Sequence, residues 1–122
     1  MRRESELIRR IVLDVADSNE SLNAAHWEDE NNSHKKVGYH IWLVKEAGYL
    51  AASFLRADGD PYYAVQVSQL TWAGQDLADS LRTESVWNEV KKRLAKAGVD
   101  VTIDLLKALA IKIAAEKLGI SA

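Results

Sequence analysis

Residues 33–81 constrain the fold of this chain more than any other stretch. Ser33 is a favourable helix cap, and apolar side chains then recur at helical spacing over residues 35–47. Gly48 follows and can adopt the left-handed backbone that ends many helices. The pattern predicts a central helix over residues 35–47 with these inward side chains: Val37, His40, Ile41, Val44 and Ala47.

Two apolar runs follow this helix, over residues 49–55 and residues 62–70. The second run alternates apolar and polar side chains, which is the periodicity of a strand. Residues 56–61 between them include Asp-Gly-Asp-Pro, a sequence that favours a turn. Thr71 can then cap another helix. A helix, a two-stranded wing and a further helix predict an α+β fold with a winged helix-turn-helix core.

The chain before the central helix contains one clear helix and one ambiguous segment. Apolar residues at helical spacing predict a first helix over residues 4–17. Residues 18–33 have few apolar side chains and end in an acidic, turn-forming run. They form either one degenerate turn of a second helix or an extended segment that pairs with the wing. We favour the extended segment.

Two further helices are predicted after the wing, over residues 83–98 and 102–118. The predicted organisation is a winged-helix-like core over residues 1–82 and a C-terminal helical pair over residues 83–122. The last helix is apolar on two sides, and the core covers one of them. Either the neighbouring helix or a second copy of the chain covers the other. We expect a homodimer that uses four residues of the last helix: Leu105, Leu109, Ile111 and Ile113.

The composition is that of an ordinary globular domain. The 122 residues are 48% hydrophobic and 28% charged, and they include no cysteine, which excludes disulfides and thiolate chemistry. Met1-Arg2-Arg3 leads into polar residues rather than the apolar core of a signal peptide. Charged side chains interrupt the most apolar region, residues 99–120, so no membrane span is expected. We therefore expect a cytoplasmic protein.

The charge is unevenly distributed along the chain, although its net value is only −2. Residues 1–82 contain 9 Lys and Arg against 13 Asp and Glu, whereas residues 83–122 contain 7 against 5. Binding to nucleic acid depends on a basic contact surface. The acidic balance of the winged part therefore counts against a strong grip on phosphate.

Several short motifs follow one another in a definite order: Ile8-Arg9-Arg10-Ile11-Val12-Leu13, Tyr39-His40, Glu46-Ala47-Gly48-Tyr49-Leu50, Leu70-Thr71-Trp72-Ala73-Gly74, Thr83, Val86-Trp87, Lys91-Lys92 and Leu105-Leu106-Lys107-Ala108-Leu109-Ala110. In order and spacing they resemble the phage and prophage proteins of the domain of unknown function 2513 family, over nearly the whole chain. The resemblance implies a winged-helix-like core with two added C-terminal helices, encoded by mobile elements. It implies no catalytic residue. Asn32-Ser33 stands where the family pattern has a glycine before the central helix.

The outer side of the central helix is the first candidate binding surface, because a winged helix usually lays this helix in the major groove of DNA. Basic clusters on the first and penultimate helices are further candidates for phosphate contacts. The predicted partner is double-stranded DNA, and the predicted function is that of a small prophage-encoded, transcription-associated regulator. The residues assigned to this surface are Arg9, Arg10, Lys35, Lys36, Tyr39, Trp42, Lys45, Arg56, Lys91 and Lys92.

The Tyr39–Trp42 surface supports an alternative hypothesis, in which the chain is an interaction module that binds a host or phage protein. Large exposed aromatic side chains are typical of protein–protein contacts. Asp58 and Asp60 outnumber Arg56 at the wing tip, and this balance disfavours contact with phosphate.

No cofactor, metal or catalytic site is predicted. His26, His34 and His40 lack the i, i+4 spacing of helical metal ligands, and His40 is predicted to be a hydrogen-bonded core residue. Asp58-Gly59-Asp60 lacks the later ligands of a calcium loop. The sequence also has neither a phosphate-binding glycine loop nor a nucleophile elbow. We therefore expect a protein without enzymatic activity.

Overall fold

The computed structural model describes residues 1–98 and 102–119. Within these residues the chain is α+β, with five α-helices, a short 3-10 helix and a three-stranded antiparallel sheet. The predicted α+β class is therefore confirmed. The helices are α1 (Ser5–Asp17), α2 (His34–Glu46), α3 (Trp72–Leu81), α4 (Glu84–Ala97) and α5 (Ile103–Lys117). The strands are β1 (Leu22–Asn23), β2 (Leu50–Ala57) and β3 (Asp60–Leu70), and the 3-10 helix is Ala24–Trp27.

The helix boundaries follow the capping residues. The hydroxyls of Ser33, Thr71 and Thr102 each accept a hydrogen bond from a backbone N–H in the first turn of the next helix. Gly48 has a φ of +89° and follows the last turn of α2, as expected for a glycine that ends a helix. The predicted pair over residues 83–122 also includes residues 99–101 and 120–122, which lie outside the described residues.

Strands β2 and β3 form a hairpin with a two-residue turn, since Ala57 pairs with Asp60. Asp58 and Gly59 have φ values of +45° and +82°. Positive φ at both positions belongs to a type I′ turn, whose twist matches that of the flanking strands. The strands of the hairpin are therefore longer than predicted, and its two-residue turn is shorter than the predicted loop over residues 56–61.

Strand β1 pairs antiparallel with β3, Leu22 opposite Val67 and Asn23 opposite Gln66, so the strand order is β1-β3-β2. This pairing confirms an extended segment that pairs with the wing, but only over two residues, and the alternative of one degenerate helical turn is also present as the 3-10 helix. The side-chain oxygen of Asn23 accepts a hydrogen bond of 3.0 Å from the N–H of Ala25 and so caps the 3-10 helix. A single 3-10 turn therefore stands between β1 and the acidic loop that leads to α2.

Two glycines let the hairpin lie close to its neighbouring helices. A Cβ atom on Gly38 of α2 would lie only 2.6 Å from the Cβ of Tyr62 on β3. A Cβ atom on Gly74 of α3 would lie 1.8 Å from the carbonyl oxygen of Tyr49. These contacts fix α2 against one side of the hairpin and α3 against its base.

The helices and the sheet share one buried cluster, in which Trp27 and Trp87 are the largest fully buried side chains. Each indole N–H has an acceptor on α1: Trp27 donates to Asp14 at 2.9 Å, and Trp87 donates to Glu6 at 3.0 Å. Because α4 contributes Trp87 to this cluster, α1 and α4 are joined through the core. Helix α5 packs against α3 and α4.

Candidate functional site

The α2 helix exposes one face between two flanking structures. Gly38 and Trp42 lie on the side of the hairpin. His40 lies on the opposite side, where its Nε2 accepts a hydrogen bond of 2.9 Å from the backbone N–H of Glu4. The segment that precedes α1 therefore runs beside α2, and Arg3 lies near Leu43 of α2. The exposed face between the hairpin and this segment includes Lys35, Tyr39, Trp42 and Glu46.

A cleft of about 370 Å³ separates α2 from the hairpin. We call it the α2–hairpin cleft, and its lining residues are Trp42, Lys45, Phe54, Arg56, Pro61 and Tyr62. Gly38 brings the backbone of α2 close to Tyr62, which lines the cleft. Three of the six lining residues are aromatic and two are cations.

The aromatic side chains of this region are arranged in pairs. The rings of Tyr39 and Trp42 are stacked, with centroids 6.2 Å apart and an interplanar angle of 21°. The rings of Phe54 and Tyr62 meet edge to face at 6.2 Å. Trp42 remains 39% exposed, so part of its side chain can contact a ligand. Stacked and exposed aromatic rings are a favourable platform for planar groups.

The cations beside the cleft are not neutralised within the described part of the chain. Lys35, Lys45 and Arg56 form no ion pair there. Lys35 and Arg56 are exposed and Lys45 is partly buried. Since these side chains keep their charges free, the α2 face can attract an anionic ligand.

Arg9 was predicted to contact DNA, and the structure assigns its side chain to the interior of the fold. Its Nε–H donates to the carbonyl of Leu81 at 2.8 Å, and a second guanidinium N–H donates to the carbonyl of Arg82 at 3.1 Å. The guanidinium also lies 5.4 Å from the ring centroid of Trp87, and the side chain is only 12% exposed. Arg9 thus caps the C-terminal end of α3, where its charge is favourable.

Other predicted cations are also held by intramolecular partners. Lys36 donates to the carbonyl of Asn31 at 2.9 Å and pairs with Glu4. Lys91 pairs with Glu6 at 2.8 Å, while Arg10 lies 3.7 Å from Asp29. Lys92 is exposed, but it lies on α4, which packs against α3 and α5. The structure therefore brings Trp42, Lys45 and Arg56 to one cleft, with Tyr39 stacked on Trp42, and places Lys35 at the other end of α2.

His34 joins the acidic loop before α2 to the hairpin. Its Nδ1 lies 2.9 Å from the Glu28 carboxylate, and its Nε2 lies at hydrogen-bond distance from the carbonyl of Tyr62. Both partners are acceptors, so both ring nitrogens donate only when the imidazole is protonated. The hydrogen bond to Glu28 is the main cause that raises the pKa of His34. This contact was not predicted, because the sequence does not show which carboxylate faces the histidine.

His40 is fully buried, and the prediction of a hydrogen-bonded core histidine is confirmed. Its Nδ1–H donates to the carbonyl of Lys36 at 2.8 Å, while Nε2 is the acceptor. Burial lowers the pKa of His40 and favours the neutral ring. His26 instead lies beside Asp14, so the three histidines have separate partners. Within the described residues no three His, Cys, Asp or Glu side chains converge on a common point.

The four residues predicted for an interface between copies do not share one surface. Ile113 is only 1% exposed and packs in the core of this chain, so a second copy cannot reach it, contrary to the prediction. Leu105 and Leu109 are partly buried against the same core. Ile111 is 53% exposed and remains available. Helical periodicity alone could not show which apolar side α3 and α4 would cover.

The described helices include none that is both long and apolar enough to cross a membrane. The described residues form a small α+β domain, with helices around a three-stranded sheet and an aromatic and cationic cleft between α2 and the hairpin. Residues 2–100 match the model of the family described as "Hypothetical protein (DUF2513)", and the chain belongs to this family.

A relative from Haemophilus influenzae, named "Uncharacterized protein", is 27% identical over 120 residues. The alignment covers 98% of this chain and 100% of the relative, so the two chains are similar from end to end. No solved structure matches the chain.

Proposed function

We propose that this chain is a winged-helix protein that binds DNA through α2 and the β2–β3 hairpin, without enzymatic activity. Supporting the fold assignment, β1 lies between α1 and α2 in the sequence and pairs with β3, giving the order β1-β3-β2. In this reading α2 is the recognition helix and the hairpin is the wing. The short 3-10 helix takes the place of the helix that usually precedes a recognition helix.

One observation carries the proposal: four cations that form no ion pair within the described residues lie around the exposed face of α2. Lys35 and Lys45 belong to the helix, Arg56 lies on the hairpin side, and Arg3 lies on the opposite side. Cations on both flanks of an exposed helix favour contacts with the phosphates of a nucleic acid that lies against the helix. Arg9 on α1 and Lys91 on α4 are bound to partners within the fold, so the proposal places the contact on α2 and not on these clusters.

The acidic hairpin tip shapes the proposed contact. Asp58 is a central residue of the type I′ turn and Asp60 follows the turn, and both carboxylates repel phosphate. Arg56, the second-last residue of β2, lines a small pocket with them and also lines the α2–hairpin cleft with Lys45. We therefore place the DNA backbone in the cleft, on the side of Arg56 that faces Lys45, and not against the tip. Glu46 at the end of α2 limits the contact in the same way, because its exposed carboxylate repels phosphate.

The experiment that tests this proposal is a fluorescence-anisotropy titration of labelled DNA at several salt concentrations. Each phosphate contact should contribute about −0.9 to the slope of log affinity against log salt. Lys45→Glu with Arg56→Glu should lower the affinity by at least ~10-fold and make the salt slope shallower by about 1 per cation removed.

The matched control reverses two exposed cations of α4, Lys92→Glu with Lys96→Glu, and should leave the affinity within about 2-fold. It changes the net charge by the same amount on a different part of the surface. Equal losses in both double variants, or affinity that does not respond to salt, contradict the proposal.

The stacked Tyr39–Trp42 pair favours a second candidate function, a module that binds another protein through this surface. An exposed Trp beside apolar neighbours is a frequent hot spot of protein interfaces. On this alternative the Trp42→Ala variant should no longer bind a purified partner protein. Its melting temperature should change little, because Trp42 is 39% exposed. A large loss of stability would instead assign Trp42 to the fold.

We propose in addition that the chain forms a homodimer through the exposed side of α5, where Ile111 is 53% exposed and Leu118 is 75% exposed. Burying both side chains on each copy contributes a modest hydrophobic free energy to dimer formation. Size-exclusion chromatography with light scattering tests this: the wild-type chain should be a dimer and Ile111→Glu a monomer, whereas a monomeric wild-type chain overturns the proposal.

That the regulator is encoded by a mobile element also stays a prediction.

A further inference from the structure

The α2–hairpin cleft combines aromatic walls with cations at the same place. Trp42 is 39% exposed and lines the cleft on the α2 side, and Tyr62 and Phe54 line it on the hairpin side. Lys45 and Arg56 supply positive charge from α2 and from β2 respectively. A planar ring that carries a phosphate matches both features, because the ring stacks on aromatic side chains and the phosphate pairs with the cations.

The size of the cleft favours one unpaired nucleotide over a duplex. At about 370 Å³ the cleft has the volume of a small-ligand site. A base in a duplex is stacked on both faces and shows the protein only its edges in the grooves. The aromatic faces in the cleft can therefore be used only by a base that has left its stack.

We propose that the α2–hairpin cleft takes an unpaired base of single-stranded nucleic acid, stacked on Trp42, with its phosphate held by Lys45 and Arg56. This inference rests on the proposed DNA-binding function and names the form of nucleic acid that the site takes. Stacking of one base on one aromatic side chain is worth about 1–3 kcal/mol, equivalent to an affinity change of roughly 5- to 150-fold.

The test uses the full chain, a 12-nucleotide oligothymidylate and a duplex of the same length at the same salt concentration. The protein carries Trp72→Phe, because Trp72 is 87% exposed whereas Trp27 and Trp87 are buried. Tryptophan quenching by added oligonucleotide then reports chiefly on Trp42. We expect quenching by the single strand and at least ~10-fold tighter binding of the single strand than of the duplex.

Trp42→Ala should lower single-strand affinity by at least ~5-fold and leave weak duplex binding nearly unchanged, since only the stacked base is lost. If Trp42→Ala unfolds the chain, Trp42→Leu keeps an apolar side chain of intermediate size and should show the same selective loss.

This inference is overturned if the chain binds the duplex as tightly as the single strand, or more tightly, and if that binding depends on Lys45 and Arg56 but not on Trp42. That result leaves the DNA-binding proposal standing. No salt-sensitive affinity for either oligonucleotide overturns both, and leaves a protein as the partner for the Tyr39–Trp42 surface.

Discussion

His34 and His40 belong to the same helix, and their surroundings favour opposite protonation states. Two acceptors face His34, the Glu28 carboxylate and the Tyr62 carbonyl, with Asp60 nearby, and they favour the imidazolium. Burial favours the neutral ring of His40, whose Nε2 must remain an acceptor. Stability should therefore depend on pH through both residues, with opposite signs.

For His34 the pKa is raised in the folded chain, mainly by the hydrogen bond to Glu28. Its stabilising contribution is thus complete below the unfolded pKa of about 6.5 and is lost as the pH rises through the folded pKa. Urea unfolding at pH 5.5 and pH 8.5 should show that His34→Asn destabilises the chain more at the lower pH. His26→Asn, at a half-exposed histidine beside Asp14, is the matched control. An effect of His34→Asn that is the same at both pH values contradicts this account.

For His40 the sign is reversed, because burial lowers its pKa in the folded chain. Its contribution is present above the unfolded pKa of about 6.5 and is lost as the pH falls through the lowered folded pKa. His40→Asn removes buried hydrogen bonds at every pH, and the loss of unfolding free energy should be larger at pH 8 than at pH 5. A larger loss at pH 5 would show that the ring is protonated in the core.

At the scale of elements, the contact between α2 and the hairpin depends on Gly38. Alanine is favoured over glycine in a helix by about 1 kcal/mol, so propensity alone predicts a gain from Gly38→Ala. The new Cβ would lie 2.6 Å from the Cβ of Tyr62, and neither atom is the end of a flexible side chain. Overpacking of this kind costs typically ~1–3 kcal/mol, so we expect net destabilisation.

A double-mutant cycle measured by urea unfolding tests the contact between Gly38 and Tyr62. Tyr62→Gly removes the obstructing Cβ, so adding Gly38→Ala in that background should be neutral or stabilising. An alanine that stabilises the wild-type background would show that the hairpin moves freely away from α2.

The pairing of β1 with β3 shows what local patterns predict well. The alternation of apolar and polar side chains in β3 and the helical spacing of apolar side chains in α2 are patterns of residues close in sequence. The boundaries of both elements were therefore predicted within a few residues. Few apolar side chains before α2 favoured an extended segment, and Leu22 and Asn23 form it. Local periodicity, in contrast, gives no sign that Gly38 must approach Tyr62.

The candidate site was only partly predictable, because the partners of charged side chains are distant in sequence. Arg9 has the sequence neighbourhood of an exposed cation, yet it binds the carbonyl of Leu81, which no local pattern links to it. Lys91 likewise pairs with Glu6 on the first helix. Lys45 and Arg56 remained free, and the predicted Trp42 surface gained its second wall from the hairpin.

At the scale of the whole molecule, the distribution of free cations matters more than their number. The net charge is −2, and the ion pairs remove most positive charge from α1. Within the described residues the remaining cations lie in three parts of the fold, around α2, on α4 and on α5. The proposals assign nucleic acid to the first region and leave α4 exposed to solvent.

The most direct measurement of the central claim is a nitrogen–proton NMR titration of the ¹⁵N-labelled chain with the 12-nucleotide strand. We expect the largest shifts at Lys35, Trp42, Lys45 and Arg56, including the Trp42 indole N–H, with few changes in α4. Shifts concentrated around Lys92 and Lys96, with the α2–hairpin cleft unchanged, would contradict the claim that α2 and the hairpin form the recognition surface.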